Sequence, residues 1–559
     1  MYVATIPNRN SPPTILLRES YRQHGKVKTR TLANITHLGA RQMEALRLAL
    51  TGSPAVPSAT LPDCFRIVRS LPHGHVAAVL GCLRNLQLDS LLDPSPGRRR
   101  DLVIAMIVAR IIEPGSELAT ARGLHSDTLH HSLGESLHLD SAGEAELYQA
   151  LDWLLPRQSR IEQALAKRQL SRGGLVLYDL TSTYFEGRHC PPGKLGHSRD
   201  DRSGKLPIVF GLLTNAAGCP VAVEVFAGNT SGPNTVATQV GKLRQRFGLS
   251  QVALITDHGM IAGARIRDAL LASQLIQSIS ALPADQIRKL AAGGQLPMSL
   301  FDKTDLVEIA HPDFPGQRLI ACFDPLLAGE RARKRLGLLA ATEKQLEKIA
   351  VATKRRKRPL RGKQNIGLRA GRILNRYKTG KHFQLRIEED SFAYERKTAD
   401  IAREQTLDGI YVIRTTVNKE ALSSQQVVAS YNSLAGAERA FRRLKTVDLQ
   451  ARPIPHRLPD RVRAHILLRM LAYYVEWHMR QLLAPILFDD DDKPRALPKH
   501  TAGGSKLHSF QTLLGDLATI VRNTIQPTDK NLPAFDMLTQ PTTVQQRALD
   551  LLGVTLRAD

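Results

Sequence analysis

The stretch GGLVLYDLTSTYFEG, residues 173–187, brings a charged side chain to the end of an apolar run. Leu175, Val176 and Leu177 follow two glycines, and this pattern predicts a strand in the core of the protein. Asp179 stands two residues later. Burying a carboxylate is costly unless a cation or a hydrogen-bond donor compensates its charge. Asp179 therefore either caps a turn at the end of the strand or belongs to a site that requires negative charge.

The order of the predicted elements after residue 173 indicates a fold. After the first strand come two strands joined by a hairpin at 215–218, a helix at 234–248, a strand at 251–257, a second helix at 263–273 and a fifth strand at 275–282. Three strands, helix, strand, helix, strand is the order of an RNase H-like fold, in which the first and fourth strands are neighbours. Asp179 and Asp257 are therefore expected to converge across the sheet, which favours the functional interpretation of Asp179.

Charge indicates the class of partner. The chain of 559 residues carries 77 Lys and Arg against 52 Asp and Glu, a net charge of +25, which suits a polyanion such as nucleic acid. Residues 331–381 contain 18 basic and two acidic residues, so they supply 18 − 2 = +16, and KRRKRPLRGK (354–363) is their centre. This segment is either a solvated loop or a surface that follows DNA phosphates, and the size of the excess favours the second.

Other sequence features exclude several classes of protein. The chain has no apolar run of about 18 residues, which a membrane-spanning helix would need, and its first residues lack the apolar core of a secretory signal. Its five cysteines have neither CxxC pairing nor metal spacing, which is typical of reduced thiols. P-loop and HExxH motifs are absent. We therefore expect a cytoplasmic protein without a membrane partner.

Shifts in composition predict an α/β protein with several domains. Its RNase H-like core would contain a mixed five-stranded sheet, interrupted by a strand-containing insertion and preceded by a mainly helical domain. The expected segments are a basic strand-bearing segment at 1–55, a helical domain at 56–172, the first part of the core at 173–281, a basic insertion domain at 282–426, two further helices of the core at 427–485, and a helical tail at 486–559.

A third acid is sought because carboxylates suit Mg²⁺ or Mn²⁺, and two-metal phosphoryl transfer usually needs more than two of them. The best candidate lies in YNSLAGAERAFRRLKT, 431–446, whose apolar residues recur at helical spacing. Tyr431, Glu438 and Lys445 are seven residues apart and would lie along one helix face. An ordinary amphipathic helix has the same pattern, so spacing alone leaves both interpretations open.

Three stretches together resemble a known family. YDLTSTYFEG (178–187), ALITDHGMIAG (253–263) and YNSLAGAERAFRRLKTVDLQARPIPHRLPDRVRAHI (431–466) are similar to the DDE transposases of bacterial insertion sequences. The likeness is to the branch with a long insert before the glutamate and a Tyr–Arg–Glu–Lys signature on the final helix. It implies that the catalytic, metal-binding residues are Asp179, Asp257 and Glu438.

The resemblance also implies residues that contact DNA. The helical domain at 56–172 would bind the DNA ends, and the segment at 427–485 would contain the catalytic helix and the helix after it. Tyr431 and Lys445 would be signature residues near the transposon end. The signature arginine is expected where this chain has Leu434, so Arg442 or Arg443 is a candidate for its phosphate contact. The long insert would lie along DNA, and its most basic residues are the remaining candidates: Lys354, Arg355, Arg356, Lys357 and Arg358.

The activity implied is transposition. The enzyme would cut double-stranded DNA at the terminal inverted repeats of its element and join the freed 3′-hydroxyl ends to target DNA, with two Mg²⁺ or Mn²⁺ ions. It would act as a homodimer assembled on DNA, in the cytoplasm of a bacterium and close to the nucleoid. The alternatives are an inactive transposase-derived DNA-binding protein and another RNase H-like nuclease. The presence of all three acids favours the active enzyme.

Overall fold

The architecture is known from a computed structural model. It describes residues 1–9, 11–51, 64–139, 141–171, 174–187, 189–196, 204–249, 252–256, 276–294, 296, 301, 305–447, 449, 453–488, 508–528 and 532–557. Asp257 and the helix predicted at 263–273 lie outside the described residues, as does most of the linker before residue 64.

The described strands form four sheets. They are β1 (Tyr2–Ile6), β2 (Thr14–Gln23), β3 (Lys26–Asn34), β4 (Phe65–Pro72), β5 (Leu175–Phe185), β6 (Leu206–Asn215), β7 (Pro220–Ala227), β8 (Val252–Thr256), β9 (Ile276–Ala281), β10 (Leu306–Ile309), β11 (Arg318–Phe323), β12 (Phe383–Ile387), β13 (Phe392–Arg396), β14 (Ile410–Thr415), β15 (Val521–Pro527) and β16 (Phe535–Leu538).

The described helices surround the largest sheet and build a separate helical layer. They are α1 (Ala40–Leu50), α2 (Gly74–Asn85), α3 (Leu88–Leu92), α4 (Arg98–Ile112), α5 (Glu117–Leu124), α6 (Leu133–Ser136), α7 (Glu144–Leu154), α8 (Gln158–Gln169), α9 (Gly232–Gly241), α10 (Ala284–Ala292), α11 (Pro325–Thr353), α12 (Lys363–Tyr377), α13 (Thr398–Gln405), α14 (Ser424–Asn432), α15 (Leu434–Arg442), α16 (Pro459–Leu482), α17 (Phe510–Leu517) and α18 (Thr543–Leu552). Among the described residues, no helix combines the length and the apolarity that crossing a bilayer would take.

The central sheet has eight strands in the order β10-β11-β14-β9-β8-β5-β6-β7. The pairs β5–β8 and β8–β9 are parallel, whereas β5–β6 and β6–β7 are antiparallel. The protein therefore belongs to the mixed α/β class, as expected. β5, which contains Asp179, and β8, which ends just before Asp257, are direct neighbours.

The two faces of β5 have different environments because successive side chains of a strand point to opposite sides of the sheet. Val176, Tyr178 and Leu180 share a core cluster with residues of α9. Leu177 shares another cluster with residues of α14 and α15. Asp179 and Thr181 are two and four residues after Leu177, so they lie on its side of the sheet. We call this side the α15 face of β5.

The helical layer is built around α4 and α16. Residues 102–111 of α4 are all buried, because this helix is apolar on every side and is enclosed by its neighbours. α16 packs against α4, α7 and β7, so one continuous core joins the helical layer to the central sheet.

The C-terminal part of the chain differs from the prediction. The tail from residue 486 was expected to be helical, but it contains β15 and β16 besides α17 and α18. β15 pairs with β4, a strand within the segment expected to be helical. Ser70 and Asn523 are hydrogen-bonded partners across this pair although 453 residues separate them. Local sequence patterns carry no information about so distant a partner.

The expected insertion contains both helices and strands. β10, β11 and β14 extend the central sheet beyond β9. The long helices α11 and α12 pack against each other as a hairpin, and the β12–β13 pair lies against it. Most of the basic segment at 331–381 is therefore helical, and residues 354–362 connect the two helices.

Candidate active site on strand β5 and helix α15

Asp179 is a buried carboxylate in the middle of the central sheet. Its side chain is on the α15 face of β5, and the residue is 7% exposed. Oδ1 accepts a hydrogen bond of 2.7 Å from the backbone N–H of Leu180. Asp179 is therefore part of the strand itself and does not cap a turn after it, since β5 continues to Phe185.

The register of β5 and β8 indicates where the chain leads into the second predicted acid, Asp257. Tyr178 of β5 pairs with Thr256, the last described residue of β8. In the sequence, the residue after each of these is an aspartate, Asp179 and Asp257. Asp257 itself lies outside the described residues, so its assignment stays a prediction.

The helix predicted to carry the third acid is not continuous, and in this respect the prediction was wrong. Tyr431 belongs to α14, Glu438 to α15, and Lys445 to a π-helical turn at Arg443–Val447. The break lies at Ser433, whose carbonyl accepts from the N–H of Gly436 at 2.8 Å, an i to i+3 bond. Helical spacing continues through this point in the sequence, and it does not reveal the break.

α15 nevertheless runs along β5. Leu434 and Ala437 share a core cluster with Leu177 near one end. Further along, the Nζ of Lys445 donates a hydrogen bond of 2.8 Å to the Oγ1 of Thr181. Asp179 lies between Leu177 and Thr181 on the same face, so contacts of α15 and the turn after it bracket it on both sides.

A second contact confirms this alignment of α15. Phe210 of β6 pairs with Thr181 of β5, and the ring of Phe441 meets the ring of Phe210 edge-on at 5.5 Å. Phe441 and Lys445 are thus both at the level of Thr181. Glu438 precedes Phe441 by one helical turn, which places it nearer to the level of Asp179.

Glu438 projects from the exposed part of α15. It is four residues after Leu434, a rotation of only about 40° around an α-helix, so it lies close to the side that packs on β5. Thr181 is about 13 Å from Leu177 along the strand. The span from Ala437 to Lys445 is about 12 Å along a helix. The segment from Ala437 to Lys445 therefore spans about the same length as the segment of β5 from Leu177 to Thr181.

The other predicted residues have distinct environments. Tyr431 is half-buried and packs against the cluster that contains Leu177. Leu434 is 5% exposed, so the position of the expected signature arginine is a core position in this chain. Arg442 is exposed and Arg443 is half-buried.

Lys354–Arg358 form the connection after α11, and we call them the basic tip. All five residues are exposed. Within the described parts of the chain, none of the five has a carboxylate oxygen within 4.0 Å, in contrast to Arg335 of α11, which pairs with Asp408. The charge of the basic tip is therefore available to solvent or to a partner.

Sequence reasoning missed a buried charge cluster in the helical layer. Glu117 of α5 is 1% exposed, and its Oε1 is 2.7 Å from Nη2 of Arg110, which is fully buried. His456 and His465 lie 3.6 and 3.7 Å from the same oxygen. Burial raises the pKa of Glu117, but attraction from the two nearby histidines and from Arg110 outweighs it and leaves this pKa below its ordinary value. No sequence signal identified this cluster, because its members are dispersed along the chain.

Comparisons with known families decide the identity of the chain. Residues 198–475 match the model of the transposase DDE domain, and residues 3–55 match that of the IS1634 family transposase N-terminal domain. The chain belongs to the DDE transposases of insertion sequences. This transposase is therefore a metal-dependent enzyme that cleaves DNA and transfers strands. The matched range contains Asp257 and Glu438, while Asp179 precedes it.

Two solved transposase structures are similar to parts of the transposase. The piggyBac transposase synaptic complex with hairpin DNA has a TM-score of 0.33 at 8% identity, covering 80% of this chain and 76% of that one. The Mos1 strand transfer complex has a TM-score of 0.15 at 14% identity, covering 33% and 59%. No curated protein matches the sequence.

Proposed function

We propose that Asp179, Asp257 and Glu438 are the catalytic carboxylates of this transposase. The observation that carries the proposal is the bracketing of Asp179 by α15: Leu177 shares a core with Leu434, and Thr181 accepts a hydrogen bond from Lys445. This arrangement supports a site in which Glu438 faces Asp179. The order β7-β6-β5-β8-β9 supports an RNase H-like core, with β10, β11 and β14 as additions to it.

The donor set fits hard divalent cations. Three carboxylates offer only oxygen ligands, which Mg²⁺ and Mn²⁺ prefer, and the buried position of Asp179 is compatible with a charged ligand nearby. We propose two such ions, held by Asp179, Asp257 and Glu438, which when bound supply an activated nucleophile and stabilise the leaving oxygen. The chain itself contributes a carboxylate fixed by the Leu180 amide and the nearby cation of Lys445.

The reaction proposed is cleavage at the terminal inverted repeats of the element, followed by joining of the 3′-hydroxyl ends to target DNA. Lys445 would hold a phosphate of the cleaved end, with Arg442 on the exposed side of α15. Tyr431, at the other end of this helical segment, would lie near the transposon end. Each copy of the chain carries one set of carboxylates and an element has two ends, so we propose a homodimer assembled on DNA. It would act at the bacterial nucleoid.

Incubation of the purified protein with Mg²⁺ and a duplex carrying the terminal repeat, together with a supercoiled target plasmid, tests this function. Transposition predicts cleavage at the repeat and joined products in the plasmid. Binding without cleavage would support an inactive DNA-binding protein, and cleavage without joining would support another kind of nuclease. Either outcome contradicts the proposal.

We propose that the basic tip contacts DNA phosphates without recognising sequence. Five exposed cations at the end of a helical hairpin suit a duplex backbone. Each neutralised phosphate contributes about −0.9 to the slope of log K against log salt, so changing all five residues to Gln should flatten the slope by roughly 4–5. Binding measured between roughly 50 and 200 mM salt gives this slope.

A control variant removes the same charge from scattered exposed positions: Arg84, Lys167, Arg244, Arg288 and Arg547, each changed to Gln. It should keep a slope closer to that of the wild type. If the basic-tip variant has the wild-type slope, Lys354–Arg358 are a solvated loop and the DNA-binding charge lies elsewhere.

A further inference from the structure

In the N-terminal sheet, β2 and β3 continue as a two-stranded ribbon beyond the end of their pairing with β1. β1 pairs with β2 only as far as Arg18. From Glu19 to Gln23, β2 pairs with β3 alone among the described strands, in a regular register that ends at Gln23 and Lys26. We call residues 18–31 the basic ribbon.

A tight turn closes the basic ribbon. His24 and Gly25 both have positive φ angles, 46° and 76°, which is the requirement of a type I′ turn. This turn type matches the right-handed twist of the strands, so the ribbon is a regular hairpin. All residues from Ser20 to Asn34 are exposed.

One face of the basic ribbon combines cations with polar and aromatic groups. Lys26, Lys28 and Arg30 alternate along β3 and therefore point to one side. Across the strands, the Nζ of Lys28 is 3.1 Å from Oε1 of Gln23, and the guanidinium of Arg30 is 5.5 Å from the ring centre of Tyr21.

The charge of the ribbon is mostly uncompensated within the chain. Its five cations, Arg18, Arg22, Lys26, Lys28 and Arg30, stand against a single acid, Glu19. Glu19 pairs with Arg30 at 2.6 Å, and the side chains of this pair are 31% and 63% exposed. In the described part of the chain, the other four cations have no carboxylate within 4.0 Å. Lys26, Lys28 and Arg30 share one face of the ribbon with Glu19, and Arg18 and Arg22 lie on the other face. Both faces therefore carry an excess of positive charge, which suits a polyanion.

We propose that the basic ribbon enters the major groove of duplex DNA and recognises bases at the end of the element. The inference rests on the proposed function, since it names the part of the chain that selects the DNA on which the carboxylates act. The major groove admits a two-stranded β-ribbon, and about six residue pairs give the ribbon a reach of about 20 Å.

The side chains of this face match the chemistry of base edges. Arginine and lysine are the commonest partners of guanine O6 and N7, and glutamine suits adenine. Lys26, Lys28, Arg30 and Gln23 supply these groups on one face. Phosphate oxygens only accept hydrogen bonds, whereas the amide of Gln23 can both donate and accept, as the N7 and N6 groups of adenine require. The mixture on the ribbon therefore favours recognition of sequence.

The test compares full-length wild-type protein with a K26Q/K28Q/R30Q variant at fixed salt. The probes are a labelled duplex carrying the terminal inverted repeat found beside this gene and a scrambled duplex of the same composition. The variant should bind the repeat about 10- to 100-fold more weakly, with a much smaller loss on the scrambled duplex. Protection of guanine N7 from methylation, a major-groove signal, should disappear with it.

A matched control removes three charges from the same domain outside the ribbon: Arg9, Arg41 and Arg47, each exposed and each changed to Gln. It should lower affinity for both duplexes alike and keep the guanine protection. Circular dichroism establishes that both variants fold.

Three outcomes would overturn the proposal. Unchanged selectivity and protection in K26Q/K28Q/R30Q would place the ribbon outside the groove. Equal losses on both duplexes would reduce it to a phosphate contact. A changed oligomeric state with unchanged DNA selectivity would make it an interface with a second copy. If the wild type shows ribbon-dependent protection but no cleavage, the proposed function fails and the ribbon assignment stands.

Discussion

Asp179 and Glu117 are both buried carboxylates, but the protein surrounds them differently. Glu117 is enclosed by Arg110, His456 and His465, all within 4 Å of its carboxylate. Asp179 lies in β5, and its carboxylate accepts a hydrogen bond from the Leu180 amide. On the same face of the strand, Thr181 accepts a hydrogen bond from Lys445. Glu117 joins helices of the core, whereas Asp179 lies on a sheet face where we propose a site with Glu438.

The difference shows that burial alone does not identify a catalytic acid. A carboxylate enclosed by arginine and histidine is expected to hold elements together, and removing it should change stability. A carboxylate on a sheet face beside a second acid is expected to serve chemistry, and removing it should change activity. The substitutions below test whether the two acids separate in this way.

The largest effect is expected for Asp179→Asn. It retains the shape of the side chain but removes the charge that would hold a metal ion, so cleavage should fall roughly 10³-fold or more. Asp257→Asn and Glu438→Gln should act alike. Cleavage of a labelled duplex in Mg²⁺ measures the loss, and DNA binding at low salt should be retained or tightened. Near-wild-type cleavage by any one variant would remove that residue from the site.

The second expected effect is on stability. Glu117→Gln leaves the buried Arg110 uncompensated, which should cost about 3–5 kcal/mol of the free energy of unfolding. Urea unfolding measures this cost. Asp152→Asn is the control, because Asp152 pairs with Arg461 at 2.9 Å in an exposed position and its loss should cost less than about 1 kcal/mol. Equal costs for the two variants would show that Glu117 contributes no more to stability than an exposed ion pair does.

A smaller effect concerns the cation beside Asp179. Lys445→Ala removes the bond to Thr181 and the proposed phosphate contact, so strand transfer should fall about tenfold. Arg439→Ala, one residue after Glu438 and about 100° around α15, should change it less than about twofold. Joined products of a pre-cleaved end measure the step. Equal losses at both positions would show that the assigned face of α15 is wrong.

A pH dependence of stability is also expected around Glu117. Burial, with the charge of Arg469, lowers the pKa of His465 to about 3. Its unfolded value is about 6.5, so only the unfolded chain takes up this proton between these pH values. Stability should therefore fall as pH drops below about 6.5. The lowered pKa of Glu117 should reduce stability further at lower pH, because the unfolded chain takes up that proton first.

His465→Asn measures this contribution. At neutral pH the variant is expected to be less stable than the wild type, but its urea midpoint should decline less between pH 7 and 5. The share of His465 is about 2 kcal/mol over this interval. Parallel declines in both proteins would show that His465 is not the group responsible.

Much of the fold followed from local patterns. β5 and β8 were predicted from the apolar runs at 175–177 and before Asp257. Their adjacency was predicted from the order of strands and helices along the chain, which the sequence also contains. Family membership and transposase function were also predicted correctly. The break at Ser433 was missed because helical spacing continues across it. The cluster around Glu117 was missed because its partners are up to 348 residues distant, as His465 is.

The β4–β15 pair has a consequence for how the chain is made. β4 is synthesised early, whereas its partner β15 follows about 450 residues later in the chain. A ribosome adds roughly 5–20 residues per second. For on the order of half a minute, β4 therefore lacks the partner that it has in the folded protein. Chains whose translation stops before Val521 never acquire this strand pair, and they should be removed by proteases before they can interfere with complete copies of the enzyme.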